Sequence, residues 1–433
     1  MSKLIVGMVG FGVVGSSVCK TLLQNRAIIN ARAGKEIVLK SVVVRDKAKA
    51  EEKLKALNAQ QVKVSDNIDD ILEDSEIEVV IELMGGVEFA YQIAQKALLA
   101  KKAFITANKA MLAYHRYDIA PLAKGLPVGF EASVCGGIPI IRVLKDGLSA
   151  NHIIAIAGIL NGTSNYILTQ MQQHNRDFQK ALLEAQALGY AEADPTLDIN
   201  GGDAGHKLLI LASLAYGIHA MPEDILIEGI EGIKPDDIAF AKEFGYVIKL
   251  LGIAKKQDNQ VELRVHPCMI KKGAMISKVD GVMNGISVVG DCLGESMYYG
   301  AGAGGEATAS SVVSDIIAIA RGESAAMLGF ERTLDDTNHL RLKNKDEIYS
   351  RYYIRLYVSD KPGVLGQVSQ ILGKHNISIS TFLQRQSDEE QNNVAKMLFS
   401  THHCYEKDIN GALAELVKFD FIIQNPYKIR IED

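Results

Sequence analysis

The sequence lacks the features that mark nucleic-acid-binding and membrane proteins. Of its 433 residues 23% are charged, the net charge is −5, and no long basic block occurs, whereas a nucleic-acid footprint shows as clustered Lys and Arg. The longest apolar run, residues 208–218, is shorter than the roughly 20 residues that a membrane-spanning helix needs. We therefore expect small-molecule or protein partners, no nucleic acid and no membrane.

Cysteine is also scarce. The five cysteines are far apart and show no CxxC or zinc-type spacing, which argues against a disulfide framework and suits a reducing compartment. The first apolar run contains four glycines within residues 7–15, unlike the helical core of a signal peptide. We expect a cytoplasmic protein.

Apolar runs and helical patterns alternate in the first third of the chain. Strand-like runs occupy residues 4–10, 37–44, 78–84, 103–108 and 127–134, with helices predicted between the first four. This alternation predicts an α/β domain with a parallel sheet and helices on both faces. We assign residues 1–135 to it, together with residues 300–325, where a glycine cluster opens a helix of small residues at 307–320.

Two further domains are expected. Residues 136–299 mix helices with strand-like runs at 152–160, 224–230, 260–270 and 285–291, which predicts an α+β domain for substrate binding and dimerisation. Residues 326–350 are charged and aperiodic and are assigned as a linker. Residues 351–433 show a βαββαβ order.

The motif GFGVVG indicates a dinucleotide site. Gly10, Gly12 and Gly15 follow a predicted strand and open a helix, where glycines allow a tight turn and the helix N-terminus binds pyrophosphate. Arg45 ends the second strand, where an arginine binds the 2′-phosphate of NADP. Asp46 beside it keeps NAD open, and Arg45 as a solvated strand end is the alternative.

Two later segments carry candidate site residues. Lys109 follows a strand at the carboxyl edge of the sheet, where ligands of such sheets bind; an ordinary first-turn lysine is the alternative. Glu131, interpreted as lying in a strand, precedes a Gly-Gly-x-Pro turn that exposes carbonyl oxygens. Carboxylate and carbonyl oxygens bind hard cations, so a small cation site is an open possibility.

The stretch from residue 189 to 207 gathers acids and a lysine before an apolar helix. Asp203 and Lys207 are four apart and share a helix face that continues into a buried run. A surface ion pair is one interpretation. The other is an active site, in which Lys207 gives a proton to the alkoxide that hydride transfer leaves on an aldehyde, and Asp203 orients it.

The motifs GFGVVG, ITANKA, EASVCGGIP, ILNGTSNYIL, GYAEADPTLDINGGDAGHKLLILA and YYGAGAGGEATAS together resemble the homoserine dehydrogenase family, of the monofunctional kind with a C-terminal ACT domain. The resemblance covers residues 1 to about 320, and DKPGVLG at 360–366 resembles the ACT effector loop. Cys135 departs from the family, where alanine is commoner. The expected fold is a Rossmann-type dinucleotide-binding domain, an α+β domain and an ACT domain.

The resemblance implies a role for each matching residue. Lys207 is the proton donor and Lys109 the second lysine at cofactor and substrate; Glu192 holds the substrate amino group, with Asp203 beside it. The implied cofactor contacts are Gly10, Phe11, Gly12, Val13, Gly15, Arg45, Lys109 and Gly304. The implied sodium site is Glu131 with backbone oxygens of Val134, Gly136 and Ile138, and the implied effector contacts are Asp360 and Gly363.

The implied reaction is the reduction of L-aspartate 4-semialdehyde to L-homoserine by NADPH or NADH, in threonine, methionine and isoleucine biosynthesis. A homodimer or homotetramer, feedback-regulated by threonine through the ACT domain, is expected; an ACT domain that only aids oligomerisation is the alternative. There are two rival interpretations. One is another amino-acid dehydrogenase with an ACT domain, and the other is an amino-acid sensor whose enzyme half is inactive.

Overall fold

The computed structural model describes residues 2–332, 340–386 and 393–432. The strands are β1 Lys3–Val9, β2 Glu36–Val43, β3 Lys63–Ser65, β4 Val79–Glu82, β5 Ala103–Thr106, β6 Val128–Gly129, β7 Ile153–Ile159, β8 Leu226–Ile227, β9 Tyr246–Gln257, β10 Gln260–Lys271, β11 Met283–Gly290, β12 Gly294–Ala301, β13 Arg341–Leu342, β14 Tyr349–Ser359, β15 Ile379–Gln386, β16 Val394–Thr401, β17 Cys404–Tyr405 and β18 Ile422–Glu432.

The helices are α1 Val13–Gln24, α2 Arg26–Ala33, α3 Lys47–Ala56, α4 Asp69–Leu72, α5 Glu88–Leu99, α6 Lys109–Leu122, α7 Ile140–Arg142, α8 Gly162–His174, α9 Phe178–Ala187, α10 Thr196–Ile199, α11 Gly202–Tyr216, α12 Pro235–Glu243, α13 Gly305–Ala320, α14 Val364–Lys374 and α15 Glu406–Leu416. None of these described helices combines the length and the apolar character needed to cross a bilayer.

The chain divides into two units. The first comprises residues 1–156, 203–224 and 283–340, and the second comprises 157–202, 225–282 and 341–433. This division differs from the three predicted domains, whose boundaries stay a prediction.

The first unit is built on a six-stranded sheet with the order β3-β2-β1-β4-β5-β6. Every neighbouring pair in it is parallel, which confirms the predicted α/β fold. The order reverses between β1 and β4, and the crevice at such a reversal is where open α/β sheets bind ligands. Val6 and Met8 of β1 are fully buried, and burial of each such side chain contributes about 1.5–3 kcal/mol.

Helix α13 packs in the core of the first unit. Its Ala309, Val312 and Ile316 are fully buried and share one apolar cluster with Val18 of α1. The alternation of alanine, serine and valine lets the two helices approach closely. After the middle third of the chain, α13 therefore packs again on the unit that contains β1 and α1.

The predicted strand at residues 127–134 is wrong for most of its length. Only Val128–Gly129 pair with the sheet, and Glu131–Ser133 form a 3₁₀ turn. A Cβ on Gly129 would lie 2.6 Å from Cβ of Asp315, and the Asp315 carboxylate accepts a hydrogen bond from the Glu131 amide at 3.0 Å. This contact with α13 turns the chain away from the sheet edge.

The second unit contains the strand order β9-β10-β18-β14-β16-β15. Strands β14, β15, β16 and β18 with helices α14 and α15 give the predicted βαββαβ order, and their apolar faces form a separate core. Strand β9 was not predicted, although it forms a long hairpin with β10. The predicted strand at 224–230 is only β8, and the predicted helix at 307–320 begins earlier, at Gly305.

The predicted linker is partly ordered. Strand β13 pairs with β10, and β14 begins at Tyr349 rather than after residue 350. Residues 333–339 of the predicted linker lie outside the described residues.

Candidate functional site

The glycine loop between β1 and α1 has three glycines with different tasks. Gly10 has φ +93°, and a Cβ there would lie 2.7 Å from the Leu83 carbonyl oxygen; a Cβ on Gly15 would lie 2.5 Å from the carbonyl oxygen of Gly10. These two positions require glycine for close packing. A Cβ on Gly12 would meet no protein atom within 4 Å, so this backbone is open for a ligand to approach.

A cleft of about 270 Å³ adjoins this loop. It is lined by Gly10–Gly12, the end of β2, the start of α3, and Met84 and Gly85. Arg45 lies at its rim with an exposed side chain. The Asp46 carboxylate accepts a hydrogen bond from the Lys49 amide at 3.0 Å and caps α3, so it serves the helix N-terminus.

Sequence reasoning missed two lysines of α3. Lys49 and Lys53 line the same cleft, and Lys53 Nζ donates to the carbonyl oxygen of Phe11 at 3.2 Å. Their i, i+4 spacing is the sequence signal that places both on one helix face. With Arg45 they make this side of the cleft positively charged.

Gly304 precedes α13 as its N-cap, with φ +109°. A Cβ on the next residue, Gly305, would lie 2.6 Å from Ser17 Oγ and 2.9 Å from a methyl group of Val13. The start of α13 is thus packed against the start of α1. A Cβ added to Gly304 would meet no protein atom within 4 Å, which leaves this second glycine loop open beside the first.

Asp203 joins the two predicted lysines. Lys207 Nζ donates to Asp203 Oδ2 at 2.8 Å, and Lys109 Nζ lies 2.7 Å from Oδ1. Asp203 is 4% exposed and Lys207 is 7% exposed, whereas the Lys109 side chain is 43% exposed. The surface-pair interpretation of Asp203 and Lys207 is therefore wrong.

The cluster contains two lysine side chains and one carboxylate. Burial by itself would raise the pKa of Asp203, but the charges and hydrogen bonds of Lys207 and Lys109 hold that pKa well below its ordinary value. The carboxylate is ionised and faces two ammonium groups. His206, on the same helix, has its pKa lowered by burial, which keeps further positive charge from the cluster.

A buried network fixes the strand ends that carry Lys109. Asn108 caps α6 by accepting from the Met111 amide at 3.0 Å. Glu82 is fully buried; it accepts from the Thr106 hydroxyl at 2.6 Å, and that hydroxyl accepts from the Asn108 amide at 2.9 Å. Burial raises the pKa of Glu82 to about 7. Sequence reasoning missed Glu82 because it reads as part of a strand.

The backbone turns sharply after Glu131. Cys135 and Gly136 both have positive φ, +53° and +40°. Gly136 O accepts from the Ser311 hydroxyl at 2.6 Å and Ile138 O accepts from the Ile140 amide at 2.8 Å, and each carbonyl oxygen has a second lone pair.

The side chain of Glu131 has a different task. Its two oxygens accept from the amides of Ile141 and Arg142, each at 2.9 Å, and burial raises its pKa to about 7. The carboxylate is committed to this turn, and the sodium site expected of this segment stays a prediction.

The acids before α11 fall in the second unit. Asp194 accepts from Thr196, and Asp198 accepts from Asn161 at 2.7 Å, so both serve the local fold. Glu192 lies in the loop between α9 and α10 with an exposed side chain. Its substrate role stays a prediction.

The predicted effector loop is exposed. Asp360 and Gly363 lie between β14 and α14, and Gly363 has φ +88° at the N-terminus of the helix. A helix N-terminus favours a negatively charged group, and the first amide of this helix, that of Val364, donates to the Lys361 carbonyl oxygen at 3.3 Å. Whether an amino acid binds there stays a prediction.

These features define a class of protein. A doubly wound parallel sheet, an open glycine loop at its topological switch point and a buried acid with two lysines at the carboxyl ends of its strands are the parts of an NAD(P)-dependent oxidoreductase. The cleft fits a dinucleotide because Gly12 leaves room for a pyrophosphate to approach the backbone and because the rim is cationic.

Comparison with known proteins narrows the class. Residues 10–126 match the homoserine dehydrogenase NAD-binding domain, residues 139–317 match homoserine dehydrogenase, and residues 352–421 match the ACT domain. The chain is 57% identical over 431 residues to the homoserine dehydrogenase of Helicobacter pylori, covering 100% of this chain and 99% of that protein.

Solved structures agree. A homoserine dehydrogenase from Thiobacillus denitrificans has a TM-score of 0.92 at 40% identity, with 100% of this chain and 99% of that chain covered. A hyperthermophilic archaeal homoserine dehydrogenase in complex with NADPH has a TM-score of 0.62 at 25% identity, covering 77% of this chain and 100% of its own. The chain belongs to the homoserine dehydrogenase family and is an NAD(P)-dependent oxidoreductase with a C-terminal ACT domain.

The glycine loop yields a test. Gly12→Ala adds a methyl group that meets no protein atom, so we expect unchanged thermal stability but about tenfold weaker NADPH binding, because the methyl group occupies the space where a ligand approaches the backbone. Isothermal titration measures the affinity. Gly147→Ala, also in open space but outside the cleft, is the control; equal NADPH affinity in both variants would contradict the assignment.

Proposed function

We propose that the chain reduces L-aspartate 4-semialdehyde to L-homoserine with Lys207 as the general acid and Lys109 as the second cation of the site. The observation that supports this most is the single carboxylate, Asp203, bonded to both ammonium groups. NAD(P)H bound in the cleft supplies the hydride. An aldehyde that accepts a hydride develops negative charge on oxygen, which needs a proton donor and a positive field.

Lys207 meets both needs. Its Nζ is buried, carries protons and is oriented by Asp203 Oδ2, so it gives a proton to the new alkoxide oxygen without reorganising. Low exposure strengthens its field relative to water. Lys109, half exposed, lies at the open side of the same carboxylate and orients the polar part of the ligand.

The amino group of the substrate is assigned to Glu192. The exposed carboxylate of Glu192 carries the charge that an ammonium group needs as its counter-ion. The substrate contact expected of Asp203 is, in this proposal, indirect and made through the two lysines.

Lys207 variants test the acid. Lys207→Ala removes the proton donor, so we expect kcat to fall by about 100-fold or more with the protein folded. Lys207→Arg keeps the charge but gives up its proton much less readily, so it stays well below wild type. Stopped-flow absorbance at the NADPH band measures the rate.

A second buried lysine provides the control. Lys102 donates to the carbonyl oxygens of Asp74 and Ile77, each at 2.7 Å, away from Asp203. Lys102→Met removes a buried lysine but leaves the proposed general acid, Lys207, in place, so we expect kcat per folded molecule to be unchanged. A Lys207→Ala enzyme with near-normal turnover would reject the proposal.

The preferred cofactor in this proposal is NADPH. Arg45, Lys49 and Lys53 gather positive charge at one end of the cleft, and Asp46 is engaged as a helix cap. A 2′-phosphate is attracted to such a group of cations, and the three cations outnumber the single carboxylate of Asp46 there. The archaeal homoserine dehydrogenase solved in complex with NADPH supports this choice.

Arg45→Ala tests the preference. We expect KM for NADPH to rise about tenfold, the loss of one charge-assisted hydrogen bond, while KM for NADH changes less than twofold. Lys47→Ala removes a neighbouring exposed cation that does not line the cleft and serves as the control. An equal rise for both cofactors would show that Arg45 does not recognise the 2′-phosphate.

A sodium ion is assigned to the main-chain oxygens of Glu131, Val134, Gly136 and Ile138. Carbonyl oxygens are suitable ligands for a hard monovalent cation, and two consecutive residues with positive φ turn the chain there. The ion would fix the turn and leave the chemistry to the lysines.

The ACT domain is assigned threonine as effector and the assembly is a homodimer or homotetramer in the cytoplasm. The open N-terminus of α14 beside Asp360 and Gly363 supports amino-acid binding there. Asp360→Ala in the full chain then keeps the uninhibited rate and loses the response to threonine; an unchanged response would favour a purely structural ACT domain.

A further inference from the structure

Arg116 is a fully buried cation in the middle of α6, 1% exposed. Its Nε donates to Ser213 Oγ at 2.6 Å, and its NH2 group donates to the Ala220 carbonyl oxygen at 2.6 Å. Its NH1 group donates to the Ala113 carbonyl oxygen. Ser213 belongs to α11, and Ala220 follows that helix, so one side chain ties α6 to α11 and to the chain just after it.

The guanidinium has an unusual environment. In the described part of the chain its hydrogen bonds go to a hydroxyl and to carbonyl oxygens, and no carboxylate pairs with it. Burial lowers the pKa of Arg116 to about 10, which leaves it charged at neutral pH. The carbonyl end of α11 favours a cation, but a buried cation of this kind adds little net stability.

Arg116 shares a helix face with Lys109. Seven residues separate them, about two turns, so both side chains project from the same side of α6. Lys109 meets Asp203 at the N-terminal end of α11, and Arg116 meets Ser213 near its other end. These two contacts lie at different positions along the helices. Together they fix both the distance between α6 and α11 and the rotation of one helix relative to the other.

A neighbouring contact continues the arrangement. The Tyr117 hydroxyl donates to the Ile218 carbonyl oxygen at 2.7 Å, and Ser213 Oγ donates to the Leu209 carbonyl oxygen at 2.9 Å while accepting from Arg116. The hydroxyl of Ser213 is thus satisfied on both sides. Ser213 Oγ also lies 3.5 Å from the Ile218 carbonyl oxygen, the acceptor of Tyr117, so the contacts of Arg116 and Tyr117 meet at one point.

We propose that Arg116 is a positioning residue for the reaction: it holds α6 against α11 so that Lys109 and Lys207 meet the same carboxylate of Asp203. The proposal rests on the roles assigned above to Lys109 and Lys207. In this proposal Arg116, although remote from the reacting atoms, controls the distance between the ammonium groups of Lys109 and Lys207.

A double-mutant cycle tests the proposal. Arg116→Met keeps the length of the side chain and removes its hydrogen bonds, so helix α6 is free to shift; displacement of a catalytic group by about 1 Å lowers kcat by about 10- to 100-fold. In a Lys109→Ala background the same substitution lowers kcat less than twofold, because the residue whose position it controls is gone. Single-turnover measurements with enzyme in excess give both rates.

Further readouts separate positioning from general stability. Affinity for adenosine 2′,5′-bisphosphate, the adenosine part of NADPH, stays within twofold of wild type, because the cleft lined by Arg45 contains no residue of α6. Arg116→Lys, which cannot reach all three acceptors at once, recovers only part of kcat. Arg26→Met, at an exposed arginine, is the control and leaves kcat unchanged. Should Arg116→Met fail to fold, Ser213→Ala replaces it in the cycle under the same criterion.

The outcomes are distinct. A loss in the wild-type background that nearly vanishes in Lys109→Ala supports the proposal. An equal loss in both backgrounds, or no loss per folded molecule, overturns it and leaves the roles of the lysines intact. Near-normal turnover of Lys109→Ala alone overturns the assigned role of Lys109 and the inference with it.

Discussion

The site depends on one buried carboxylate that faces two ammonium groups. Asp203 lies in the first turn of α11, where the helix dipole favours negative charge, and it bonds Lys207 one turn later and Lys109 at the start of α6. Without this carboxylate, two like charges would repel each other in a low-dielectric site. The rest of the first unit brings Lys109 from a distant part of the sequence to this i, i+4 pair.

The fold supplies those positions through strand ends and helix starts. Lys109 follows β5 and is anchored by the Asn108 cap and by the Glu82–Thr106 hydrogen bond beneath it. The glycine loop after β1 opens at the same edge of the sheet. Parallel strands therefore bring the cofactor cleft and the lysines to one side because all carboxyl ends point the same way.

Residue spacing in the sequence was sufficient to predict those features that depend on local interactions. The i, i+4 pair of Asp203 and Lys207, the glycine loop and the order of the ACT elements were all predicted, because each depends on spacing within one segment. Arg116, Glu82 and Lys53 were not identified, because each has a partner 24 to 104 residues away that only the folded chain brings to it. The supposed strand around Glu131 failed for the same reason: its course is set by Asp315 of α13.

The pH dependence of kcat in Asp203→Asn tests the central claim most directly. The lysine charges lower the pKa of Asp203, and this attraction is reciprocal, so an amide in its place leaves the protonated form of the proton donor without its counter-charge. The account predicts a lower kcat and an alkaline limb of the pH–rate profile that moves toward lower pH. A folded Asp203→Asn enzyme whose alkaline limb coincides with that of the wild type would contradict it.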